Sequence, residues 1–415
     1  MSPRRTTALI AVAATGLMAA CSPTADVGAP QESTSSASAE PSGATPSESG
    51  AARTGTSPAP ETSPSSSPTP STVEEVTVTD TSATGLAAPW GLAVLPDGGA
   101  LVTLRDEARA VVVTGDGDVL DVTGDGADQL LDQTVPGGEG GLLGVAVLPG
   151  GAEASVDVVL YRTGQDDNAV LRGTLTGTEL GSLTPVVEGI PRARTHNGGQ
   201  VSVGPDGLLY ISTGDAGEPD RAQDPDSLGG KILRVTLEGE PAPDNPDPDS
   251  PVFSLGHRNV QGLGWSDDGT MYASEFGQNA LDEVNRVVAG GNYGWPLVEG
   301  DGVGAGVDEA TLAELVAPVA TWSTDVASPS GLAVTPEGVW VAGLRGQRLW
   351  LVPTGAAGST GGGAAGEPRD FLTGELGRLR AVVATGEREL WVLTSATDGR
   401  GDPGPDDDRL VRVTY

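Results

Sequence analysis

The sequence predicts an all-β fold, a six-bladed β-propeller that follows a disordered linker. One pattern recurs six times: a small residue, an apolar alternation, a tight turn and a second apolar strand. The copies begin at Trp90, Gly141, Gly199, Gln261, Ser330 and Leu379. Their spacing of roughly 50 to 70 residues is typical of propeller blades. The chain contains 62 Gly and 32 Pro but only 4% aromatic residues, which favours short strands joined by turns over long helices.

The first twenty residues have the layout of a lipoprotein signal peptide. Arg4 and Arg5 precede an apolar run at residues 8–20, which ends at Cys21, the only cysteine. The run is too short to span a bilayer permanently, and a single cysteine cannot form an internal disulfide. We therefore expect export, attachment of lipid to Cys21 and anchoring at the outer face of a bacterial cell membrane.

Residues 21–74 are expected to form a disordered tether. Nearly all of them are Ser, Thr, Pro, Ala, Gly or Glu, and large apolar residues are almost absent. Such a composition cannot bury enough apolar surface to offset the entropy lost on ordering. The folded domain is accordingly predicted to cover residues 75–415.

Each repeat supplies one hairpin, and neighbouring apolar runs supply the other strands of the blade. Such runs occur at residues 109–113, 168–175, 232–237 and 348–352. They predict about four strands in each blade. Helical periodicity is weak, and only residues 309–315 are expected to form a short helix or turn. A parallel α/β fold would need regular amphipathic helices, and a β-sandwich would not explain six copies of one hairpin.

The net charge of −34 at pH 7 argues against binding to nucleic acid or to an anionic membrane surface, because both require Lys and Arg. Abundant carboxylates are compatible with cation binding, although a solvated acidic surface accounts for most of them. No Cys and His cluster is present for zinc, and no Gly-rich phosphate loop precedes a helix. A serine hydrolase is disfavoured because the G-x-S-x-G motif is absent.

Both histidines, His196 and His257, precede a repeat at equivalent positions, so both are predicted at the same end of the blades. A loop-borne imidazole is a suitable general base near neutral pH. The alternative for His196 is a histidine that caps a strand end. Arg258 can bind an anion or a developing negative charge, and Asn259 can both donate and accept hydrogen bonds.

Arg378 and Arg380 lie at the start of the sixth repeat. By strand alternation, their side chains point to the same side of the strand. Two neighbouring guanidiniums in so acidic a protein indicate a ligand that carries carboxylates. The alternative is a pair of salt bridges to surface acids.

A candidate calcium site follows the fourth repeat. Gly277 allows the backbone to turn a carbonyl toward an ion, and Asp282 and Glu283 supply hard carboxylate oxygens. Trp322, ahead of the fifth repeat, offers a flat face on which a ring can stack, although ordinary packing explains it equally well.

These motifs together resemble the soluble sugar dehydrogenases that depend on pyrroloquinoline quinone (PQQ), the glucose and sorbosone dehydrogenase family. The resemblance runs from Pro89 to the C-terminus. Its carriers are EGGLLG at 139–144, HNGG at 196–199, GPDG at 204–207, STGD at 212–215, Gln223, GKILR at 230–234, GHRNVQGLGW at 256–265, SEFG at 274–277, GNYGWP at 291–296 and GRLR at 377–380. Members of this family are six-bladed propellers, so the resemblance implies the same fold as the repeats.

The resemblance also implies roles for matching positions. His196 matches the catalytic base, which takes the proton of the anomeric hydroxyl as hydride leaves C1 for the quinone. Arg258 matches a second residue at the reacting carbonyl, and we count it as catalytic. Positions on the side of the cofactor or substrate are matched by Glu139, Asn259, Trp322, Arg345, Arg378 and Arg380.

Two calcium positions are implied in the same way. Gly277 and Gln278 match the residues whose carbonyls hold the Ca²⁺ that also binds the quinone. Glu283 and Tyr293 match ligands of a second, structural Ca²⁺. One departure concerns Thr195, which stands where glucose-oxidising members have Asp, so another group must orient the imidazole of His196.

The resulting hypothesis is a PQQ-dependent oxidoreductase that oxidises an aldose at C1 to its lactone and passes electrons to an external acceptor. The alternative is a membrane-tethered propeller that binds a sugar or a protein without catalysis. A calcium-dependent lactone hydrolase is disfavoured because it would need clustered carboxylates where this chain has arginines. The leading hypothesis requires His196 to lie near Arg258, Arg378 and Arg380.

Overall fold

The computed structural model describes residues 73–151, 154–302, 306–354 and 366–415, which form six antiparallel sheets. The predicted signal peptide, Cys21 and residues 21–72 of the predicted tether lie outside the described residues. Val73 is buried in the same hydrophobic cluster as Val76. The described fold therefore includes residues 73 and 74, which the sequence assigned to the tether.

The strands of the first three sheets, together with the first strand of the chain, are β1 (Thr77–Ala83), β2 (Pro89–Val94), β3 (Ala100–Leu104), β4 (Arg109–Val113), β5 (Val119–Asp121), β6 (Leu142–Val147), β7 (Ser155–Thr163), β8 (Asn168–Thr176), β9 (Glu179–Leu180), β10 (Thr184–Ile190), β11 (Val201–Val203), β12 (Leu209–Ser212), β13 (Lys231–Val235) and β14 (Val252–Leu255). The remaining strands are β15 (Val260–Trp265), β16 (Met271–Glu275), β17 (Leu281–Val287), β18 (Ala320–Ser323), β19 (Pro329–Thr335), β20 (Gly338–Gly343), β21 (Arg348–Val352), β22 (Arg369–Phe371), β23 (Leu379–Gly386), β24 (Glu389–Thr394) and β25 (Leu410–Thr414).

Five sheets are built from consecutive strands, in the orders β2-β3-β4-β5, β6-β7-β8-β10, β11-β12-β13-β14, β15-β16-β17-β18 and β19-β20-β21-β22. In the second of these, β9 also pairs with β8. The sixth sheet has the order β23-β24-β25-β1, so the first strand of the chain pairs with the last. The predicted six-bladed architecture is confirmed, and each repeated hairpin provides the first two strands of a sheet.

The helical segments are short. Helix α1 (Asp125–Gln133), which the sequence did not predict, buries Leu130 between the first two sheets. A 3₁₀ turn covers Pro219–Ala222. Helix α2 (Glu309–Glu314) lies in the predicted segment, and the Asp308 side chain accepts a hydrogen bond from the Thr311 N–H at its start. None of the described helices has the length and apolar character needed to span a membrane.

Six hydrophobic clusters lie between consecutive sheets. One of them joins the sixth sheet to the first, through Leu393 and Leu92. The innermost strands approach each other closely around a central channel of about 390 Å³. A Cβ on Gly91 would come within 2.7 Å of the Leu143 carbonyl, so this position of the first repeat requires glycine.

Candidate active site

The predicted site residues meet where loops enter the innermost strands. A cavity of about 220 Å³ lies at this end and is lined by Glu139, His196, Arg258, Phe276, Gly277, Gln278, Asp282, Thr324, Ser328, Leu344, Arg345, Arg378 and Arg400. A cleft of about 20 Å³ shares four of these residues and adds Trp90, Arg105, Asn197, Gly198, Gln261 and Arg380. The larger central channel is lined by apolar and neutral residues, so the charged cavity is the candidate site.

His196 is held at two points. Its Nδ1 lies 2.7 Å from Asp215 Oδ1, and its backbone N–H donates to Glu139 Oε2 at 2.8 Å. Because the carboxylate of Asp215 accepts from Nδ1–H, the neutral ring carries its free lone pair on Nε2. Asp215 therefore supplies the orientation that Thr195 cannot, and the imidazole is arranged to accept a proton.

Asp215 is itself fixed by neighbouring donors. Trp295 Nε1 donates to Oδ2 at 2.9 Å, and the Gly217 N–H donates to Oδ1 at 2.7 Å. Burial alone would raise the pKa of Asp215, but its hydrogen bond and charge interaction with His196, together with these donors, hold that pKa below its ordinary value. Asp215 is therefore an anion next to the imidazole and stabilises the protonated ring.

Glu139 supports the loop that carries His196. Its second oxygen accepts from Arg400 at 2.9 Å. Burial raises the pKa of Glu139, but the His196 N–H and the guanidinium of Arg400 together lower it below the ordinary value. In the described structure, one oxygen of Glu139 therefore accepts from His196 and the other accepts from Arg400.

Arg258 and Asn259 lie in the loop ahead of β15. Arg258 donates to the Phe276 carbonyl at 3.2 Å and lies over the Trp295 ring, with its guanidinium carbon 5.5 Å from the ring centre. The Asn259 side-chain oxygen accepts from the Gly198 N–H at 3.0 Å. Arg258 lines the cavity together with His196, whereas Asn259 is fully buried and lines neither the cavity nor the cleft.

The two arginines ahead of the sixth repeat share one buried carboxylate. Arg378 donates to Asp398 at 2.7 Å, whereas the guanidinium of Arg380 lies 3.7 Å from the same oxygen. The Asp398 side chain is only 2% exposed, so this ion pair is internal and differs from the surface salt bridges weighed as the alternative. Burial, followed by repulsion from Arg105, lowers the pKa of Arg380 to about 9. Two guanidiniums therefore share the Asp398 carboxylate, and an anionic ligand would add negative charge beside them.

The predicted calcium residues Gly277 and Gln278 line the cavity. Their backbone N–H groups donate to Asp282 at 2.9 Å and to Glu299 at 2.6 Å. Burial raises the pKa of Asp282 to about 6. Arg345, also predicted, is an exposed residue of the cavity wall and donates to the Thr324 carbonyl at 2.9 Å.

The second predicted calcium position lies apart from the residues that line the cavity. Glu283 accepts from Asn285 Nδ2 at 3.0 Å and from the Gly300 N–H at 2.6 Å. Burial, together with repulsion from Glu275, raises the pKa of Glu283 to about 8. Among the described residues, the buried Asn285 Oδ1 has no hydrogen-bond partner, so this oxygen can accept from one further donor or a cation. The described residues contain no group of three or more His, Cys, Asp or Glu that would hold a metal by themselves.

Backbone groups engage the hydroxyl group of Tyr293 on both sides. It donates to the Arg286 carbonyl at 2.8 Å and accepts from the Val288 N–H at 2.9 Å. The Tyr293 ring stacks on His257, which is fully buried between Glu275 and Ser254. His257 is therefore part of the packed interior, although it directly precedes Arg258 in the sequence.

Trp322 does not line the cavity, contrary to its predicted place at the cofactor face. It belongs to β18, the outermost strand of its sheet, and is 8% exposed. Its ring centre lies 5.2 Å from that of Trp350 within a hydrophobic cluster between the fourth and fifth sheets. Ordinary packing, the alternative weighed from the sequence, accounts for this residue.

The structure adds three residues that sequence reasoning did not assign to the site: Asp215, Asp398 and Arg400. Asp215 ends the STGD motif that helps to carry the family resemblance, so its place near a turn was visible in the sequence, but its pairing with His196 was not. Asp398 and Arg400 lie in a Gly-rich and Asp-rich loop that composition alone marks as solvated. Their contacts with Arg378 and Glu139 depend on closure of the ring.

The residues present fit an anionic quinone. Two buried donors of residues that line the cavity or the cleft lack partners in the described structure: Arg258 Nε and Arg380 Nε. Both can only donate, so a ligand with carboxylate and carbonyl oxygens would satisfy them. The Gly277 and Gln278 carbonyls, for which no hydrogen bond is found among the described residues, fit a hard cation such as Ca²⁺.

Known proteins share this sequence and architecture. A family described as Glucose / Sorbosone dehydrogenase matches residues 86–411. The PQQ-bound form of aldose sugar dehydrogenase from Streptomyces coelicolor is 46% identical, with a TM-score of 0.74 over 82% of this chain and 98% of that chain. The aldose sugar dehydrogenase YliI of Escherichia coli is 30% identical over 75% of this chain and 88% of its own length. Quinoprotein glucose dehydrogenase B of Acinetobacter calcoaceticus is 37% identical over 28% of this chain and 29% of its length.

The family match covers most of the chain and all of the loops that line the cavity. The structural similarity to the Streptomyces coelicolor protein agrees with the observed fold. The chain therefore belongs to the glucose/sorbosone dehydrogenase family.

Proposed function

We propose that this protein is a PQQ-dependent and Ca²⁺-dependent oxidoreductase that oxidises an aldose at C1 to its lactone. The observation that carries the proposal is the position of His196. This residue, paired with Asp215, shares one cavity with Arg258, Arg378 and the Gly277–Gln278 turn. The relatives include a quinoprotein glucose dehydrogenase and an aldose sugar dehydrogenase, which supports the same reaction class.

In the proposed reaction, His196 Nε2 accepts the proton of the anomeric hydroxyl. The negative charge of Asp215 stabilises the imidazolium that forms. When bound, the quinone supplies the acceptor for the hydride that leaves C1, so the sugar loses two electrons and one proton passes to His196. The C1–O bond becomes the lactone carbonyl, and an external acceptor later removes the two electrons.

The remaining residues bind and orient. Arg258 and Asn259 present donors to oxygens on which negative charge develops. Arg378, Arg380 and Arg345 would hold the carboxylates of the cofactor, and the carbonyls of the 277–278 turn would hold Ca²⁺. The cavity thus separates a proton-accepting side at His196 from an anion-binding side.

The alternative of a binding propeller without catalysis was motivated by Thr195, which leaves the imidazole without the usual neighbouring carboxylate. Asp215 fills that role from a different loop, at 2.7 Å from Nδ1. The motive for the alternative is therefore weaker, and a sugar dehydrogenase is the better supported function.

The test is reconstitution of the purified protein with PQQ and Ca²⁺, followed by reduction of an electron-accepting dye with a panel of aldoses. We expect the absorption spectrum of the bound quinone to change when the correct sugar is added. His196→Ala should lower kcat about 10²-fold to 10⁴-fold while PQQ binding persists. Absence of PQQ binding would overturn the proposal, and binding without turnover on any aldose would favour the non-catalytic alternative.

We also propose that the protein acts outside the cell, anchored by lipid on Cys21. The support is the sequence alone, since these residues lie outside the described structure. Cys21→Ala should move the protein from the membrane fraction to the soluble fraction of cells. Retention in the membrane fraction would contradict lipid anchoring without affecting the proposed reaction.

A further inference from the structure

One carboxylate outside the reacting centre organises the turn that contains Gly277 and Gln278. Glu299 Oε1 accepts hydrogen bonds from four consecutive backbone N–H groups, those of Gln278 at 2.6 Å, Asn279 at 3.0 Å, Ala280 at 2.9 Å and Leu281 at 3.1 Å. The preceding N–H, of Gly277, donates to Asp282. Successive N–H groups that converge on one anion form a backbone nest, which is here filled by a side chain of the same protein.

This arrangement fixes where the carbonyls of the turn point. In a planar trans peptide the N–H of one residue and the C=O of the residue before it point in opposite directions. Since the N–H groups of residues 278 and 279 face Glu299, the carbonyls of Gly277 and Gln278 face away from it. Both residues line the cavity. The Ala280 carbonyl likewise points away from Glu299. It accepts a hydrogen bond from the N–H of Thr324, on the cavity wall, at 3.2 Å.

The turn is too tight for a side chain at its first position. A Cβ on Gly277 would overlap the Leu281 carbonyl and would come within 2.7 Å of Glu299 Oε1. Glu299 is held in place from the next residue, because the Gly300 N–H donates to the buried Glu283 at 2.6 Å. The anion in the nest is therefore a fixed part of the fold.

We propose that Glu299 is a positioning residue that presets the 277–281 turn, so that the carbonyls of Gly277 and Gln278 form a cation site before any ion arrives. The inference rests on the proposed function, because the ion in question is the Ca²⁺ that accompanies the cofactor. A preset site binds its ion more tightly because the turn does not have to be ordered on binding.

The first measurement is hydrogen–deuterium exchange of the full-length protein without Ca²⁺ or PQQ. In Glu299→Ala the amides of residues 278–281 lose their acceptor, so we expect them to exchange faster while amides of the six sheets are unchanged. Glu299→Gln keeps an acceptor oxygen and should fall between wild type and Glu299→Ala. The matched control is Glu314→Gln, which removes one charge at an exposed residue of α2.

The second measurement is the concentration of CaCl₂ that gives half-maximal PQQ binding, followed by quenching of tryptophan fluorescence. We expect this concentration to rise at least about tenfold in Glu299→Ala, less in Glu299→Gln, and not at all in Glu314→Gln. Neither readout requires turnover.

The outcomes separate this inference from the proposed function. If wild type does not bind PQQ at any Ca²⁺ concentration, the proposed function fails and this inference fails with it. If wild type binds PQQ and Glu299→Ala needs the same Ca²⁺ concentration, only the inference is overturned. Unchanged exchange at residues 278–281 would also overturn it. If Glu299→Ala does not fold, Glu299→Gln provides the test. The proposal is contradicted if Glu299→Gln matches wild type both in amide exchange and in the CaCl₂ concentration needed for PQQ binding.

Discussion

His196 adopts a left-handed backbone conformation, with φ of 58°, which only a few residue types other than glycine tolerate. Contacts on both sides maintain it: Glu139 accepts from its N–H, and Asp215 contacts its ring. Gly214 also lies so close to the His196 carbonyl that a Cβ there would overlap it. Backbone strain of this kind persists where the surroundings fix it, and it presents the imidazole to the cavity.

Asp215→Asn tests the role of the carboxylate that contacts His196. The substitution keeps the shape but removes the charge that stabilises the protonated imidazole, so kcat should fall about 10²-fold to 10⁴-fold. Affinity for PQQ should stay close to that of wild type, because Asp215 does not line the cavity. Steady-state kinetics and a PQQ titration check the two parts. The control is Asp116→Asn in an exposed turn, and a kcat within a few-fold of wild type for Asp215→Asn would contradict the assignment.

The sequence located site residues that occupy equivalent places in the repeats. His196 and Arg258 precede the third and fourth innermost strands, so repeat counting brought them to one end. Trp322 was misplaced because an outermost strand and a loop look alike in sequence when both are short. The pairing of Glu139 with Arg400 could not be predicted, because the two residues are 261 positions apart and meet only when the first two sheets and the last close into a ring.

At the scale of elements, the loop between β12 and β13 carries Asp215 and depends on one buried amine. Lys231 is the only lysine in the sequence and is 0% exposed. Its Nζ donates to the carbonyls of Arg221 at 2.6 Å, Gly229 at 2.8 Å and Ala222 at 3.2 Å. The apolar run at 232–237 predicted β13, but nothing in its pattern indicated that the preceding lysine points inward and closes a loop.

Lys231→Met should destabilise the protein, because three carbonyls would lose their donor in a buried place. We expect the free energy of unfolding to fall by about 2–4 kcal/mol. Equilibrium unfolding in urea, with unchanged m-value, measures this difference. Arg286→Met removes the same charge at an exposed position of β17 and should have little effect. Equal midpoints for both variants would show that the amine does not stabilise the loop.

At the scale of the whole molecule, strand β1 closes the ring by pairing with β25, as in Thr77 opposite Thr414. The composition of β1 hid this role, since five of its seven residues are polar and only the last two are buried. The six repeats therefore predicted the number of blades, whereas the identity of the closing strand required contacts across more than 300 residues. Closure also brings the loop with Asp398 and Arg400 to the cavity.

The charge distribution of the whole molecule opposes that of its cavity. The chain carries a net charge of −34, whereas arginines surround the candidate site. At low ionic strength the field of the whole protein reaches about 30 Å and repels an anionic cofactor, and at 0.15 M it reaches only about 8 Å. The arginines act at contact distance and are screened much less. The acidic surface therefore affects the rate at which PQQ associates, whereas the cavity arginines determine how tightly bound PQQ is held.

We accordingly expect the association rate constant of PQQ, in saturating Ca²⁺, to increase when NaCl is raised from 10 to about 150 mM. Stopped-flow quenching of tryptophan fluorescence measures it directly. Arg345→Gln, at the exposed rim, should lower the rate constant modestly at both salt concentrations while the upward trend with salt remains. A rate constant that falls as salt is added would mean that the cavity arginines, and not the acidic surface, control the encounter.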